Sequence, residues 1–157
     1  MKITLLVTGK TDKRYLKEGI ELYYKRLIHY CDFSIIEIPD IKKTKNIGKE
    51  QRKILEGAKI LSKVNPEKEL HLFDEYGINY SSKEFAEFIE KKMLSGIKEM
   101  IFVIGGPYGF SNEVYRKALS RISLSRMTFS HQLARLLCTE QIYRAFTIIK
   151  GEPYHND

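Results

Sequence analysis

The chain alternates between short apolar runs and longer segments whose apolar residues recur at helical spacing. The apolar and β-branched runs predict five strands, over residues 2–8, 32–38, 69–74 and 99–104, and within 121–129, where a long exit loop follows the strand. The helical spacing predicts five helices, from about 12 onward, over 49–64, from 82 to 96, over 111–119 and from 130 or 131 to 149. Regular alternation of this kind predicts an α/β fold, a mostly parallel sheet with helices on both faces.

The ends of three predicted strands are candidate ligand sites, because ligands of α/β folds bind beyond the carboxyl ends of the strands. These ends follow Phe73-Asp74, Ile104 and Leu124. The strand before Ile104 reads EMIFVI, with almost no alternation, which is typical of a strand buried on both faces.

After this strand the sequence GGPYGF places glycines at 105, 106 and 109. This spacing matches neither the dinucleotide fingerprint nor the P-loop. A plain turn and a close ligand approach to Gly105 both remain open, since a residue without a Cβ permits either.

Composition narrows the class of protein. A length of 157 residues predicts one domain over 1–157, and a net charge of +7 permits a polyanionic partner. The apolar run near the N-terminus spans only Ile3 to Val7, and no apolar stretch is long enough to cross a membrane, so we expect a cytoplasmic protein. The two cysteines and four histidines are scattered, which predicts no metal site.

The last predicted helix carries polar residues at regular spacing. Asp12 is the expected N-cap of the first helix, and Ser130 or Thr128 that of the last. His131 and Arg135 share a helical face, and Glu140 and Arg144 form an i,i+4 pair. A solvated face explains these residues as well as a functional site does. The tail GEPYHND is equally open, since chain ends commonly fray.

Four segments taken together carry a family resemblance: FVIGGxxG (102–109), SRMTFxHQ (125–132), EQIYRAF (140–146) and the terminal PYH (153–155). With the opening KITLLVTGK, they resemble the RlmH-type methyltransferases, which belong to the SPOUT class of S-adenosylmethionine-dependent RNA methyltransferases. The resemblance covers essentially the whole chain. It implies methylation at N3 of a pseudouridine in the large-subunit (23S) ribosomal RNA of assembled ribosomes, a C-terminal trefoil knot and a homodimer.

The resemblance also assigns residues to roles. The S-adenosylmethionine site falls on Phe73, Gly105, Leu124, Ser125, Arg126, Met127, Thr128 and Phe129. The catalytic and RNA-binding region falls on His131, Arg135, Glu140, Arg144, Tyr154 and His155. Two departures stand out: Ser130 replaces a frequent proline, and Asn156 replaces a frequent basic residue after Tyr-His, which weakens any role for a terminal cation.

Several points stay open on the sequence alone. The loop cations Lys42, Lys43 and Lys45, or the helix with Lys13, Arg14 and Lys17, are candidate phosphate contacts. His155 is the first candidate for a general base, Glu140 the second, and direct proton loss to water the third. The rival classes are a non-enzymatic basic RNA-binding or ribosome-associated protein, and a nucleotide-dependent oxidoreductase, which the failed glycine fingerprint disfavours.

Overall fold

The computed structural model describes residues 1–41 and 47–154, and its strands form a five-stranded sheet. The strands are β1 (Lys2–Thr8), β2 (Asp32–Ile38), β3 (Lys68–Asn79), β4 (Glu99–Ile104) and β5 (Ser120–Ser123). Their spatial order is β2-β1-β4-β3-β5, and every neighbouring pair is parallel. The predicted parallel α/β fold is confirmed, whereas the trefoil knot stays a prediction.

Helices cover both faces of this sheet, as the alternation predicts. They are α1 (Arg14–Leu27), α2 (Lys49–Leu61), α3 (Ser82–Leu94), α4 (Asn112–Lys117) and α5 (His131–Ile149). Leu5 and Phe102 belong to a core closed by α1, α3 and α5, while Leu6 and Val103 belong to a second core with α2 and α4. Among the described residues, no helix is long and apolar enough to cross a membrane.

Serine side chains cap the starts of α3, α4 and α5, whereas α1 and α2 begin without a side-chain cap. Ser130 caps α5 by accepting a hydrogen bond from the Leu133 backbone N–H, as expected. The prediction that Asp12 caps α1 is wrong, because the N-cap is Lys13, with no side-chain hydrogen bond. The Asp12 backbone N–H instead donates to Gln132 at 3.1 Å, so the start of α5 holds this loop.

The last strand ends at Ser123, one residue before the predicted end at Leu124, and the predicted long exit loop follows it. The chain turns there because serine side chains bond to nearby backbone. The Ser123 hydroxyl donates to the Ser125 carbonyl at 2.8 Å, and the Met127 N–H donates to the Ser125 hydroxyl at 2.9 Å. Serines therefore supply the turn that glycine or proline would ordinarily mark. Two other boundaries also differ: β3 continues to Asn79, and α2 ends at Leu61.

Candidate active site

A cavity of about 520 Å³ lies beyond the carboxyl ends of β4 and β5, beside the second half of β3. Its walls come from residues 73–76, 104–110, 123–125 and 127–131, and from Tyr115 and Ala134. Phe73 of β3 pairs with both Ile104, the last residue of β4, and Ile122 of β5, so these three positions lie at one level. The segments that the strand-end rule selects therefore line this cavity, whose volume is typical of a small-molecule site.

An irregularity in the pairing of β3 with β5 shapes one wall. Phe73 and Ile78 pair with the same residue of β5, so residues 74–77 bulge out between them. Gly77 permits the close approach of the two strands, since a Cβ at this position would lie 2.5 Å from the backbone carbonyl carbon of Arg121. The bulge carries polar side chains into the cavity wall.

Two carboxylate residues of this bulge, Asp74 and Glu75, line the cavity. Asp74 accepts hydrogen bonds from the Tyr115 hydroxyl at 2.6 Å and the Tyr76 N–H at 2.8 Å. Burial, followed by the bond to Asp74, raises the pKa of Tyr115 to about 12, so the phenol keeps its donor proton at neutral pH. The Thr128 hydroxyl donates to Glu75 at 3.4 Å. A wall of this charge suits a ligand of net positive charge.

The glycine-rich exit of β4 is a β-turn that begins at Gly106. The Gly109 N–H donates to the Gly106 carbonyl at 3.1 Å, and Gly109 has a φ of +76°, which favours glycine. A Cβ on Gly105 would lie 3.0 Å from the Phe110 ring, and one on Gly106 would lie 2.8 Å from the carboxylate of Glu56. The turn is therefore confirmed, and both glycines already have close neighbours within the fold.

Seven of the eight residues that the resemblance assigns to the cofactor line this cavity: Phe73, Gly105, Leu124, Ser125, Met127, Thr128 and Phe129. The eighth, Arg126, is exposed and lies outside the wall. Met127 is 75% exposed, so an apolar side chain stands at the outer rim.

A second cluster forms around the Glu140 carboxylate on α5. One oxygen accepts from Arg144 at 2.7 and 3.0 Å and from the Tyr154 hydroxyl at 3.1 Å, and the other accepts from Gln141 at 2.7 Å. The Arg144 guanidinium also lies 4.8 Å from the centre of the Tyr154 ring. Burial, followed by the hydroxyl of Tyr23, raises the pKa of Tyr154. The structure thus brings three of the four predicted catalytic residues together.

Comparison with known proteins identifies the family. The family model described as Predicted SPOUT methyltransferase matches residues 1–155. The chain belongs to the SPOUT methyltransferase family. Ribosomal RNA large subunit methyltransferase H of Christiangramia forsetii is 56% identical over 156 residues, which cover 99% of each chain. The protein of that name from Porphyromonas gingivalis is 52% identical over 157 residues, the whole of both chains. A solved structure of a probable methylase family protein from Haemophilus influenzae matches at 15% identity with a TM-score of 0.49, over 99% of this chain and 70% of that one.

In this SPOUT methyltransferase the cavity and the second cluster lie at different places along α5. His131, in the first turn, lines the cavity, and Arg144 lies 13 positions later. At a rise of 1.5 Å per residue, these positions are separated by about 20 Å along the helix axis. Glu140 and Arg144, both assigned to catalysis, therefore lie about 14 and 20 Å along the helix axis from His131 at the cavity wall.

The two remaining polar residues of α5 have different surroundings. Arg135 is 2% exposed, and its guanidinium donates to the Thr8 carbonyl at 2.6 Å and to the Thr11 hydroxyl at 3.0 Å. Its contacts therefore hold the loop after β1, and its role in RNA binding stays a prediction. Burial, followed by the charge of Arg135, lowers the pKa of His131, so the imidazole at the cavity wall is neutral at pH 7.

Some predicted site residues lie outside the described ranges, namely Lys42, Lys43, Lys45 and His155. Within 1–41 and 47–154, no group of three or more histidine, cysteine, aspartate or glutamate side chains is placed to hold a metal ion.

Sequence reasoning missed several residues of the cavity wall. Asp74 ends the predicted third strand and Glu75 and Tyr76 follow it, so the strand-end rule selected this segment without singling out these side chains. Tyr115 carries no comparable signal, because only the folded structure brings it from α4 to Asp74.

Proposed function

We propose that this protein methylates N3 of a pseudouridine in large-subunit ribosomal RNA, with S-adenosylmethionine as the donor. The observation that carries the proposal is the cavity, whose walls contain seven of the residues assigned to the cofactor, beside β3 and at the carboxyl ends of β4 and β5. The relatives named Ribosomal RNA large subunit methyltransferase H, which align along essentially the whole chain, support the RNA substrate. The resemblance supplies the nucleotide and the acceptor atom.

The chemistry of the cavity fits this donor. S-adenosylmethionine has a sulfonium, an ammonium and a carboxylate, and therefore a net positive charge. Asp74 and Glu75 supply the complementary charge, while Phe73, Ile104 and Leu124 offer apolar surface for the adenosine part. When bound, the donor supplies the methyl group. The fold would hold the donor in line with the acceptor nitrogen, and this alignment is the main requirement of an in-line methyl transfer.

The second cluster is suited to hold the acceptor nucleotide. Both oxygens of Glu140 already accept hydrogen bonds, which favours His155 over Glu140 as the base for the N3 proton. In this proposal Glu140 fixes Arg144 and Tyr154, and these two side chains orient the substrate. The Arg144 guanidinium offers donors to phosphate or carbonyl oxygens.

A homodimer completes the site in this proposal. The roughly 20 Å between His131 and Arg144 separates the two halves of the site within one chain. A second copy, packed so that its cluster and tail approach the cavity of the first, would join them. Two equivalent composite sites would follow from a twofold axis.

Transfer of labelled methyl groups tests the proposal. Ribosomes from a strain that lacks the modification would be incubated with the protein and labelled S-adenosylmethionine, and the modified nucleotide identified by digestion and mass spectrometry. We expect one methylpseudouridine in the large-subunit RNA. No transfer, or a methyl group on another nucleotide, would refute the proposal. Calorimetric titration with S-adenosylmethionine and with NADH would separate the rival classes, since a non-enzymatic RNA-binding protein binds neither and an oxidoreductase binds NADH.

A further inference from the structure

Tyr108 occupies an unusual position at the mouth of the cavity. It lies in the turn that begins at Gly106, follows Pro107 and is 41% exposed. Pro107 fixes its own backbone φ, so the backbone of the turn that carries the Tyr108 ring has little conformational freedom. The ring also lines the cavity, which places it beside the donor site.

Two cations of α2 approach this ring. The ammonium of Lys49 and the guanidinium of Arg52 lie 5.7 and 5.8 Å from its centre. Within residues 1–41 and 47–154, neither has an acidic partner at salt-bridge distance, whereas Glu50 of the same turn pairs with Lys53 at 2.6 Å. The positive end of the α2 dipole adds to this charge. The three side chains form a basic aromatic patch, which we call the Tyr108 patch.

We propose that the Tyr108 patch binds an unpaired nucleotide of the RNA substrate, with its base on the Tyr108 ring and its phosphates at Lys49 and Arg52. This inference rests on the proposed function, because it concerns how the same site takes its RNA. Aromatic rings flanked by cations are the usual means by which proteins bind single-stranded RNA without reading its sequence. The position at the mouth means that the nucleotide bound here is a neighbour of the one that enters the cavity.

The donor is a poorer occupant of the Tyr108 patch than RNA. It carries a net positive charge, which two nearby cations repel, whereas each RNA phosphate is an anion. The existing contacts of the cations with the ring do not block a base. They lie near the 6 Å limit of such interactions and are made by long, solvent-accessible side chains, and exposed contacts of this kind are weaker than base stacking.

The test measures RNA binding and donor binding separately. Steady-state methylation would give the KM for ribosomes that lack the modification, cosedimentation would give their Kd, and calorimetry would give the Kd for S-adenosylmethionine. For Tyr108→Ala we expect the ribosome KM and Kd to rise roughly tenfold, within the range of base stacking on an aromatic ring. Tyr108→Phe should behave like the wild type, because stacking needs only the ring. Because the ring stands at the mouth of the cavity, the Kd for the donor should change much less than the Kd for ribosomes in Tyr108→Ala, and neither Kd should change in Tyr108→Phe.

The cations have their own readout and control. Lys49→Ala and Arg52→Ala should each lower the slope of log Kd for RNA against log salt by about 0.7, the value for one lost phosphate contact on a single strand. Lys63→Ala, an exposed lysine beyond the other end of α2, should leave the slope unchanged.

Three outcomes would overturn the inference. One is an unchanged ribosome Kd in Tyr108→Ala, and another is a weaker donor Kd with normal ribosome binding, which would place the ring in the donor site. The third is equal salt slopes in the Lys49, Arg52 and Lys63 variants. A wild-type protein that transfers no methyl group would refute the proposed function instead, and cosedimentation would still decide the role of Tyr108.

Discussion

A composite site shared between two copies makes a sharp prediction about mixed dimers. One variant, Thr128→Arg, places a guanidinium beside the carboxylates of Asp74 and Glu75, where the cationic donor would bind. Thr128 is exposed and its only described side-chain bond is the 3.4 Å contact to Glu75, so the fold should be retained. The second variant, Arg144→Ala, removes the cation of the Glu140 cluster. Each homodimer should be nearly inactive.

The expected magnitude follows from where the two changes lie. Thr128 lines the cavity, and Arg144 lies about 20 Å along α5 from His131 of the same wall, so in the proposed dimer one chain does not supply both to one site. In a heterodimer of the two variants, one composite site receives both altered side chains and the other receives neither. We therefore expect about half of the wild-type kcat per dimer, with unchanged KM values, because one of two equivalent sites is intact.

The assay requires pure heterodimers. The two variants would be coexpressed with different affinity tags, purified over both tags in turn, and assayed for methyl transfer to ribosomes. Thermal unfolding of each homodimer would confirm that both variants fold. Heterodimers as inactive as the two homodimers would refute the composite site, since this is the result for a site built within one chain. A chain that is monomeric and active by light scattering would refute it as well.

Three further predictions concern stability and the cavity wall. Burial of His71 lowers its pKa from 6.5 to about 4, so the unfolded chain binds the proton more tightly than the folded chain does. In urea titrations, the free energy of unfolding should be intact above pH 6.5 and fall by about 2 kcal/mol by pH 5, and His71→Gln should remove this pH dependence. Gly77→Ala should separate β3 from β5, because the new Cβ meets the backbone of Arg121, and so lower the free energy of unfolding by on the order of 3 kcal/mol and weaken donor binding. A wild-type melting temperature together with a wild-type calorimetric Kd for the donor would contradict this. Tyr115→Phe should raise the donor Kd roughly fivefold by releasing Asp74, and an unchanged Kd would show that this hydrogen bond does not position the carboxylate.

The local pattern of apolar and polar residues was sufficient to predict the strands and helices that form the central sheet and its two helical layers. The unalternating EMIFVI predicted a strand buried on both faces, and β4 is buried between two parallel neighbours. Parallel strands with helices on both faces then fix where a ligand site lies, and the cavity is found there. The serine-directed turn after Ser123 was missed because serine stops a strand through its own hydrogen bonds, which composition does not reveal.

Long-range contacts were beyond the reach of the sequence. The polar residues of the motif SHQLARLLCTEQIYRAF gave no indication that Arg135 is buried while Arg144 is partly exposed. Helical spacing places both away from the apolar stripe, but the loop after β1 packs over Arg135 and supplies its hydrogen-bond acceptors. A charged residue is buried where such partners exist, and those partners are more than 120 positions away in the chain.

Sequence proximity also misleads about the site itself. The motif residues from Leu124 to Arg144 are close in sequence, yet α5 begins at His131 and separates His131 from Arg144 by about 20 Å along its axis. Tyr154, near the end of the described chain, folds back onto the distal end of this helix through Glu140. In the proposed function, a single copy brings the donor cavity and the side chains that orient the acceptor to opposite ends of α5, and a second copy joins them. Because one helix carries both parts of the proposed site, a twofold axis can place the Arg144 end of one α5 beside the cavity of the other copy. The same axis forms the second, equivalent site, so the activity of mixed dimers tests this arrangement directly.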